Sequence, residues 1–575
     1  MANKRRSEEM AELGAEVKAL RFGCGFTRTD FDRPLVVVEA AAGESHPGSY
    51  HLGEVAAAVR EGLWAANVRP LDYRCTDICD GIAQGTPAMA LSLASRDVWA
   101  LAAETHVTCA HADGVAFVSS CDKAIPGHLL AAARLNLPTV FVPGGVMPPS
   151  DDCHTLEYVG TLAQDADRDR TLGVGQAHFD EVATPGPGCC AFMGTASTMQ
   201  IMAEALGIAP PASALIPAGD FALARTAKET AALLAGMIEK GTRFRNVVDA
   251  RAFHNAFAVH AAVGGSTNAL LHLAALAGVL GLPFDLAAYD RVASEVPFLV
   301  NVRPSGEHPA SFFWYAGGVP AVMRELRDYL RLDARTVTGG TVGGNLTRLD
   351  RADFFVTNPR RLACYKLTRE DVIRPAGKPL ARRGAVRALF GNIAPGGAVV
   401  KAAAAAGNRF RGRARIFFDE KDARDAVNRG RVRAGTVVVL PFQGPRAAAM
   451  PELFFLTEAL ASHPRLGAEV ALVTDGRFSG GTRGLCVGHV SPEAAEAGSL
   501  LAAVRDGDII EINAASGKIN VVQTAGGAHG QQRVEKALAK RLEGMAPFEF
   551  PKAGGLLGLY MKLAGPAERG ARMEW

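Results

Sequence analysis

Four short stretches of this 575-residue chain hold side chains that are costly to place without a use. The first is CTDICDGIAQGTPAM, with Cys75, Asp77, Cys79 and Asp80. The second, FVSSCDKAIPGH, sets Cys121, Asp122 and Lys123 side by side ahead of Pro126-Gly127. Three adjacent residues of regular structure do not all face one way, so a loop must present them. The third, PGPGCCAFMGTASTM, puts Cys189 and Cys190 before a helix whose start is marked by Thr195 and Ser197. The fourth, VTDGRFSGGTRG, carries Ser479 in a glycine-rich turn after a strand.

Thiolates are soft ligands, suited to zinc or to iron–sulfur clusters, and a cluster needs several of them from converging loops. The spacings here are not those of a zinc ribbon, since no C-x-x-C pair is followed by another. Cys190, just ahead of a helix, would have its thiolate favoured by the helix dipole. Cys24, Cys153, Cys364 and Cys486 read as small buried hydrophobes. Asp80, Asp122 and Glu452 (in AAAMPELFF) are hard oxygen donors of the kind magnesium takes. An aspartate in an Asp-Gly turn also serves the turn itself. Ser479 lies in GRFSGG, which lacks the Walker lysine of a phosphate loop. Arg477 stands where a G-x-S-x-G nucleophile elbow needs glycine, so spacing alone describes a flexible turn.

The elements that must position these loops alternate. PLVVVEAA, GVAFVSS and PTVFVPGG read as strands, with LAAARLNL as a helix between the last two. That βαβ pattern implies a parallel sheet, whose ligands collect at the carboxyl ends of strands, where Cys121, Asp122 and Lys123 fall. Residues 194–330 show helical periodicity, and their methionines read as core filler. A polar, basic, proline-containing stretch at 358–390 marks a boundary, placed between residues 368 and 369. Beyond it RARIFF, GTVVVLPF, EVALVTD, DIIEINA and KINVVQT read as short strands between glycine-rich turns. The fold class is therefore α/β: a large N-terminal domain, 1–368, with a parallel sheet and helices, and a smaller β-rich, barrel-like domain, 369–575.

Composition narrows the function classes. A net charge of +3 with no long basic block argues against nucleic acid as the main partner. No apolar stretch is long enough to span a bilayer, and the N-terminus mixes acids with bases and lacks an apolar signal core. Ten irregularly spaced cysteines do not form a disulfide framework, so a cytoplasmic setting is expected.

Taken together, CDGIAQGTPAMALSLASRDV, SCDKAIPG, GCCAFMGTASTMQIMAEALG, HAAVGGSTNALLHL, GNIAPGG and VTDGRFSGGTRGLCVGHVSPEAAEAG resemble one family. It is that of the dihydroxy-acid, 6-phosphogluconate and sugar-acid dehydratases, and the resemblance covers roughly residues 30–545. It implies a hydro-lyase that converts a 2,3-dihydroxy acid to a 2-keto acid with an iron–sulfur cluster (4Fe-4S or 2Fe-2S) and magnesium. By motif, Cys121 and Cys190 resemble cluster ligands, and Asp80, Asp122 and Glu452 resemble magnesium ligands. Lys123 resembles the family's carbamylated lysine, a further magnesium ligand, and Ser479 resembles its base. The resemblance also implies a homodimer or homotetramer.

This chain departs from the pattern in places. Gly48 (in ESHPGSYHL) stands where many dihydroxy-acid dehydratases carry a third cluster cysteine, so Cys79 is expected to replace it. Cys79 directly before Asp80 leans the chain toward the 6-phosphogluconate and sugar-acid branches and toward 4Fe-4S. The expected substrate is accordingly an aldonate; the alternative is the dihydroxy acid of branched-chain amino-acid biosynthesis. GRFSGGTRG and GHVSPEAA favour that alternative, and Ala447-Ala448-Ala449 replaces a glycine-rich run ahead of Glu452. Thr195, Ser197, Ser266, Thr267 and His489 are candidate substrate contacts, with helix capping the other reading of Ser266 and Thr267. A metabolite or iron sensor on the same fold and a zinc-dependent lyase are the readings from other classes. The C-terminal GLLGLYMKLAGPAERGARMEW is left without a role.

Overall fold

The computed structural model describes residues 4–12, 14–75, 77–150, 153–168, 183–402 and 409–575. Strands β1 (Leu35–Ala41), β2 (Arg69–Cys75), β3 (Gly114–Ser119) and β4 (Thr139–Pro143) form a parallel sheet in the order β2-β1-β3-β4. The runs of β1, β3 and β4 are buried throughout, as expected for strands covered on both faces. Strand β2, RPLDYRC, lies at the edge with half its residues facing outward, so it lacks an apolar run and is not legible as a strand in the sequence. Phe117 of β3 lies opposite Phe141 of β4, each 1% exposed. Burying a side chain of that size contributes about 1.5–3 kcal/mol. Helices Leu52–Ala65, Ser92–Cys109, Ala124–Leu135 and Phe221–Glu239 pack against this sheet or against one another, and Ala250–Val263 and Thr267–Leu280 extend the helical layer.

Strands β5 (Val386–Gly391), β6 (Ala394–Lys401), β7 (Arg409–Ile416), β8 (Thr436–Leu440), β9 (Ala471–Thr474), β10 (Leu485–Ser491), β11 (Ile509–Asn513) and β12 (Lys518–Gln523) close into a barrel. Their order is β10-β6-β5-β12-β11-β7-β8-β9, with β7 to β10 parallel. The alternation of strand side chains sorts two cores. Val437, Val439 and Val473 fill the barrel, while Val438, Leu440 and Leu472 pack outward among Val427, Leu456 and Leu460 of the covering helices. Both faces of β8 are thus buried, which is why TVVVL is uninterrupted. Strands β5, β6 and β10 escape sequence reading because glycine, alanine and polar residues interrupt them.

The C-terminal segment does have a place. Helix Gly555–Leu563 and residues Ala567, Ala571 and Met573 pack with Leu93, Ala94, Leu271, Ala449 and Met450. The buried Arg96 guanidinium donates to Gly570 O at 2.8 Å and Ala571 O at 3.1 Å. The tail therefore pins the helical layer to the loop ahead of Glu452. Of the four cysteines expected to be buried, only Cys486 is; Cys153 is half-buried, and Cys24 and Cys364 are exposed. Cys24 caps the end of a helix with no buried residue, and Cys364 lies in the polar stretch before the barrel. Among the described residues no helix is long and apolar enough to cross a membrane.

Candidate active site

The chemical groups arrive on loops leaving the carboxyl ends of strands, as parallel sheets favour. His46 follows β1, Asp77, Cys79 and Asp80 follow β2, and Cys121, Asp122 and Lys123 follow β3. Glu452 follows β8, and Arg477 and Ser479 follow β9. Cys79, Cys121 and Cys190 line one cavity together with Asp80, Asp122, Glu452 and Ser479. Thr195 and Ser197 are on its wall as well.

Thiols and carboxylates separate within the cavity. Cys79 has extended backbone and its carbonyl accepts from Ile82 N and Ala83 N, so the chain turns between Cys79 and Asp80. Cys79, Cys121 and His46 bring ligand atoms within 4.8 Å of one another, and so do Asp80, Asp122 and Glu452. The Cys121-Asp122-Lys123 turn thus serves both ends. His46 Nε2 pairs with Asp77 Oδ1 at 2.6 Å, while its Nδ1 has no hydrogen-bond partner among the described residues. A Cβ at Gly48 would lie 3.2 Å from Cys121 Sγ and 3.2 Å from His46 Nδ1. Position 48 therefore borders the thiol end, and the imidazole occupies the space beside it.

At the carboxylate end, Lys123 and Arg477 are both 0% exposed. Lys123 Nζ donates to Asp80 Oδ2 at 2.6 Å and lies 3.7 Å from Asp122 and 4.0 Å from Glu452. Arg477 Nη1 donates to Glu452 Oε1 at 2.9 Å, and Ser92 Oγ donates to Asp80 Oδ1 at 2.7 Å. Burial opposes ionisation of Asp80, but the Lys123 and Arg477 charges outweigh it and hold the carboxyl at about 2. Burial pushes Asp122 up to about 6 and raises Glu452 well above the carboxylate range, with neighbouring Asp80 adding to both. Three acids around two cations are short of positive charge, a fit for a divalent ion.

Ser479 Oγ accepts from Gly481 N at 3.3 Å. Its loop rests directly on the Cys190–Thr195 loop: a Cβ at Gly480 would lie 2.3 Å from Gly194 Cα. Gly480→Ala is therefore expected to destabilise the chain by about 1–3 kcal/mol and to shift Ser479 off the cavity wall. A fall in kcat, with denaturant midpoints measured on the same preparation, checks this.

Helix Thr195–Ala205 starts at Thr195, with Gly194 as its N-cap. The first turn of that helix lies beside Cys190, where Ser197 Oγ donates to Cys190 O at 3.3 Å, a position in which the dipole would favour the thiolate. Burial acts the other way and raises the Cys190 thiol well above its ordinary value. Ser266, Thr267 and His489 stand one layer behind the wall. Ser266 Oγ caps helix Thr267–Leu280 by accepting from Asn268 N, and pairs with Thr195 Oγ1 at 2.9 Å. Asn268 Nδ2 donates to Glu452 Oε1 at 2.6 Å, and His489 Nε2 meets Asn268 Oδ1 at 3.2 Å. Burial, with Arg477 adding, pushes His489 down to about 3, so its ring is neutral.

His46 and Arg477 are the site residues that sequence reading missed. HPGSYHL offers no ligand spacing to a cysteine, and Arg477 reads there only as a break in the elbow pattern.

Comparison with known proteins matches residues 33–345 to the dihydroxy-acid/6-phosphogluconate dehydratase N-terminal family and residues 371–571 to its C-terminal counterpart. The second match takes in most of the C-terminal tail. A dihydroxy-acid dehydratase of Halothermothrix orenii is 37% identical over 569 residues, covering 97% of each chain. One of Nitratidesulfovibrio vulgaris is 38% identical over 565 residues, again with 97% of each chain covered. One of Ignicoccus hospitalis is 38% identical over 570 residues at the same coverage.

Proposed function

The chain belongs to the dihydroxy-acid/6-phosphogluconate dehydratase family and is a hydro-lyase, and from that premise we propose that it converts a 2,3-dihydroxy carboxylate to a 2-keto acid. The observation that carries the reading is the meeting of a soft thiol set, a hard carboxylate set and one serine hydroxyl in a single cavity. Cys79, Cys121 and Cys190 would hold an iron–sulfur cluster, of 4Fe-4S type in this reading, with His46 Nδ1 a nitrogen donor beside them. Asp80, Asp122 and Glu452 would hold magnesium, joined by Lys123 as its carbamate. When bound, these groups supply Lewis acids at the departing hydroxyl and at the carboxylate end of the substrate.

The chain's own residues do the rest. Ser479, as its alkoxide, takes the proton from C2, and the Gly481 N–H favours the ionised oxygen. The C3–O bond breaks, the departing hydroxyl takes up the proton that Ser479 has accepted and leaves as water, which returns the serine to its alkoxide, and the resulting enol tautomerises to the 2-keto acid by moving its hydroxyl proton to C3. Arg477 and Asn268 both donate to Glu452 and hold its carboxylate in place.

For the substrate tail, the relatives' names support a dihydroxy acid with a short alkyl group ahead of the aldonate that the sequence alone favours. Leu156, Phe192 and Phe454 on the cavity wall support the same order. One feature favours the aldonate: Glu157, also on that wall, is a buried acid held above the usual carboxylate range by burial and suited to bonding hydroxyls. Anaerobic turnover of 2,3-dihydroxyisovalerate against a panel of aldonates tests the order. The branched acid is expected to show the higher kcat/KM; a higher value for any aldonate reverses it.

A further inference from the structure

A second group of metal-ligating side chains lies apart from this cavity, between the parallel sheet and its helices. Glu39 of β1, Cys75 at the end of β2 and His128 of helix Ala124–Leu135 bring a carboxylate oxygen, a sulfur and a ring nitrogen within 4.8 Å of one another. Cys75 Sγ is 3.7 Å and His128 Nε2 3.9 Å from Glu39 Oε1. His106 of helix Ser92–Cys109 places Nδ1 3.4 Å from the other oxygen, Glu39 Oε2. Glu39 and His128 are 0% exposed.

The surroundings are apolar: Val37, Val38, Ala40, Ala116 and Phe117 belong to the same core. A carboxylate placed there without compensation costs several kcal/mol, and valine in its place would cost nothing. Cys75 Sγ donates to Glu39 Oε1 at 3.7 Å, but the remaining polar atoms are not spent in this way. Glu39 Oε2, His106 Nδ1 and His128 Nε2 each lack a hydrogen bond among the described residues, although all three are buried. Both rings are nevertheless held in position. His128 Nδ1 meets Ser119 Oγ at 3.1 Å and its ring stacks on Phe117 at 4.6 Å, while the His106 ring stacks on Tyr73 at 4.7 Å. Fixing one ring nitrogen from behind and leaving the other free is how proteins prepare a metal ligand.

We propose that Glu39, Cys75 and His128, with His106 on the far oxygen of Glu39, form a structural zinc site. One sulfur, ring nitrogens and a carboxylate make a borderline-soft set that suits zinc and not magnesium. A single thiol cannot hold an iron–sulfur cluster. The ion would tie β1 and β2 to two helices directly beneath the loops carrying His46, Cys79 and Cys121. The site does not depend on the reaction assigned to the cavity.

The test is metal analysis and zinc X-ray absorption on the full chain, purified anaerobically without a histidine tag and washed with a weak chelator. One zinc per chain is expected, with one sulfur among nitrogen and oxygen neighbours, in wild type and equally in Cys121→Ser, which disables the thiol set of the cavity. His128→Met and Glu39→Gln are expected to lose it. A strong chelator should lower the melting temperature of wild type by more than it lowers that of His128→Met, the difference being the share of the zinc site. Wild type without zinc overturns the proposal, as does zinc that disappears in Cys121→Ser. Should neither core variant fold, the wild-type absorption spectrum decides alone: a zinc environment with two or more sulfurs places the ion in the cavity and sinks the site.

Discussion

Ser479→Ala should reduce dehydration by about 10²–10⁴-fold, the usual contribution of a positioned acid–base group, while the metal and sulfide content and the visible absorbance that the proposed cluster would give stay those of wild type. Among the described residues its side-chain hydrogen bond is with the N–H of Gly481 at 3.3 Å, and it is not among the soft donors proposed to hold the cluster. Removing one oxygen at the half-buried tip of a turn leaves the barrel and its covering helices untouched, so stability should change by less than about 0.5 kcal/mol. The variant also separates an enzyme from a sensor on the same fold. A sensor needs no proton acceptor, so a loss of turnover at constant metal content is the enzyme's signature. Full activity in Ser479→Ala would remove the serine from the mechanism and leave the cavity without an identified base.

Lys123→Met should be the most damaging single change to the folded state. Its ammonium, 0% exposed, lies 2.6 Å from Asp80 and within 4.0 Å of Asp122 and Glu452. Burial works against its charge, yet Asp80, with Asp122 and Glu452, outweighs both burial and the repulsion from Arg477 and holds its pKa above the ordinary value. Methionine fills similar volume but leaves three buried acids facing Arg477 alone. Breaking a buried pair by removing one partner costs about 3–5 kcal/mol. Urea unfolding of the metal-free chain measures that loss, and added magnesium should recover part of it by supplying the missing positive charge. Dehydration should be lost as well if Lys123 acts as the proposed carbamate, because none can form on a thioether. A Lys123→Met protein that unfolds at the wild-type midpoint would show that the acids are neutral in the metal-free chain.

The chemistry of the cavity was legible in the sequence because it sits in contiguous words. Cys121-Asp122-Lys123 and the turn around Ser479 each state residue type and strand-end position within a dozen residues, and Cys79-Asp80 states residue type. Strands β1, β3, β4, β8 and β9 were legible for a similar reason: apolar runs covered on both faces need no knowledge of what covers them. Edge strand β2 and the interrupted strands β5, β6 and β10 were not, since their sequence differs little from that of loops.

By itself, then, the order of residues determined which groups could do chemistry, on which side of each strand they leave, and to which family the motifs belong. Only the packing of helices, sheet and barrel decided that His46 faces the thiols, that Arg477 lies against Glu452 and close to Asp80, that Ser266 and His489 stand behind the wall, and that Glu39, Cys75 and His128 meet in the core. The physical reason is range. Periodicity, caps and motifs record interactions between near neighbours in the chain. The field and the hydrogen-bond partners at a buried group come from segments far apart in sequence, which only the closed fold brings into contact.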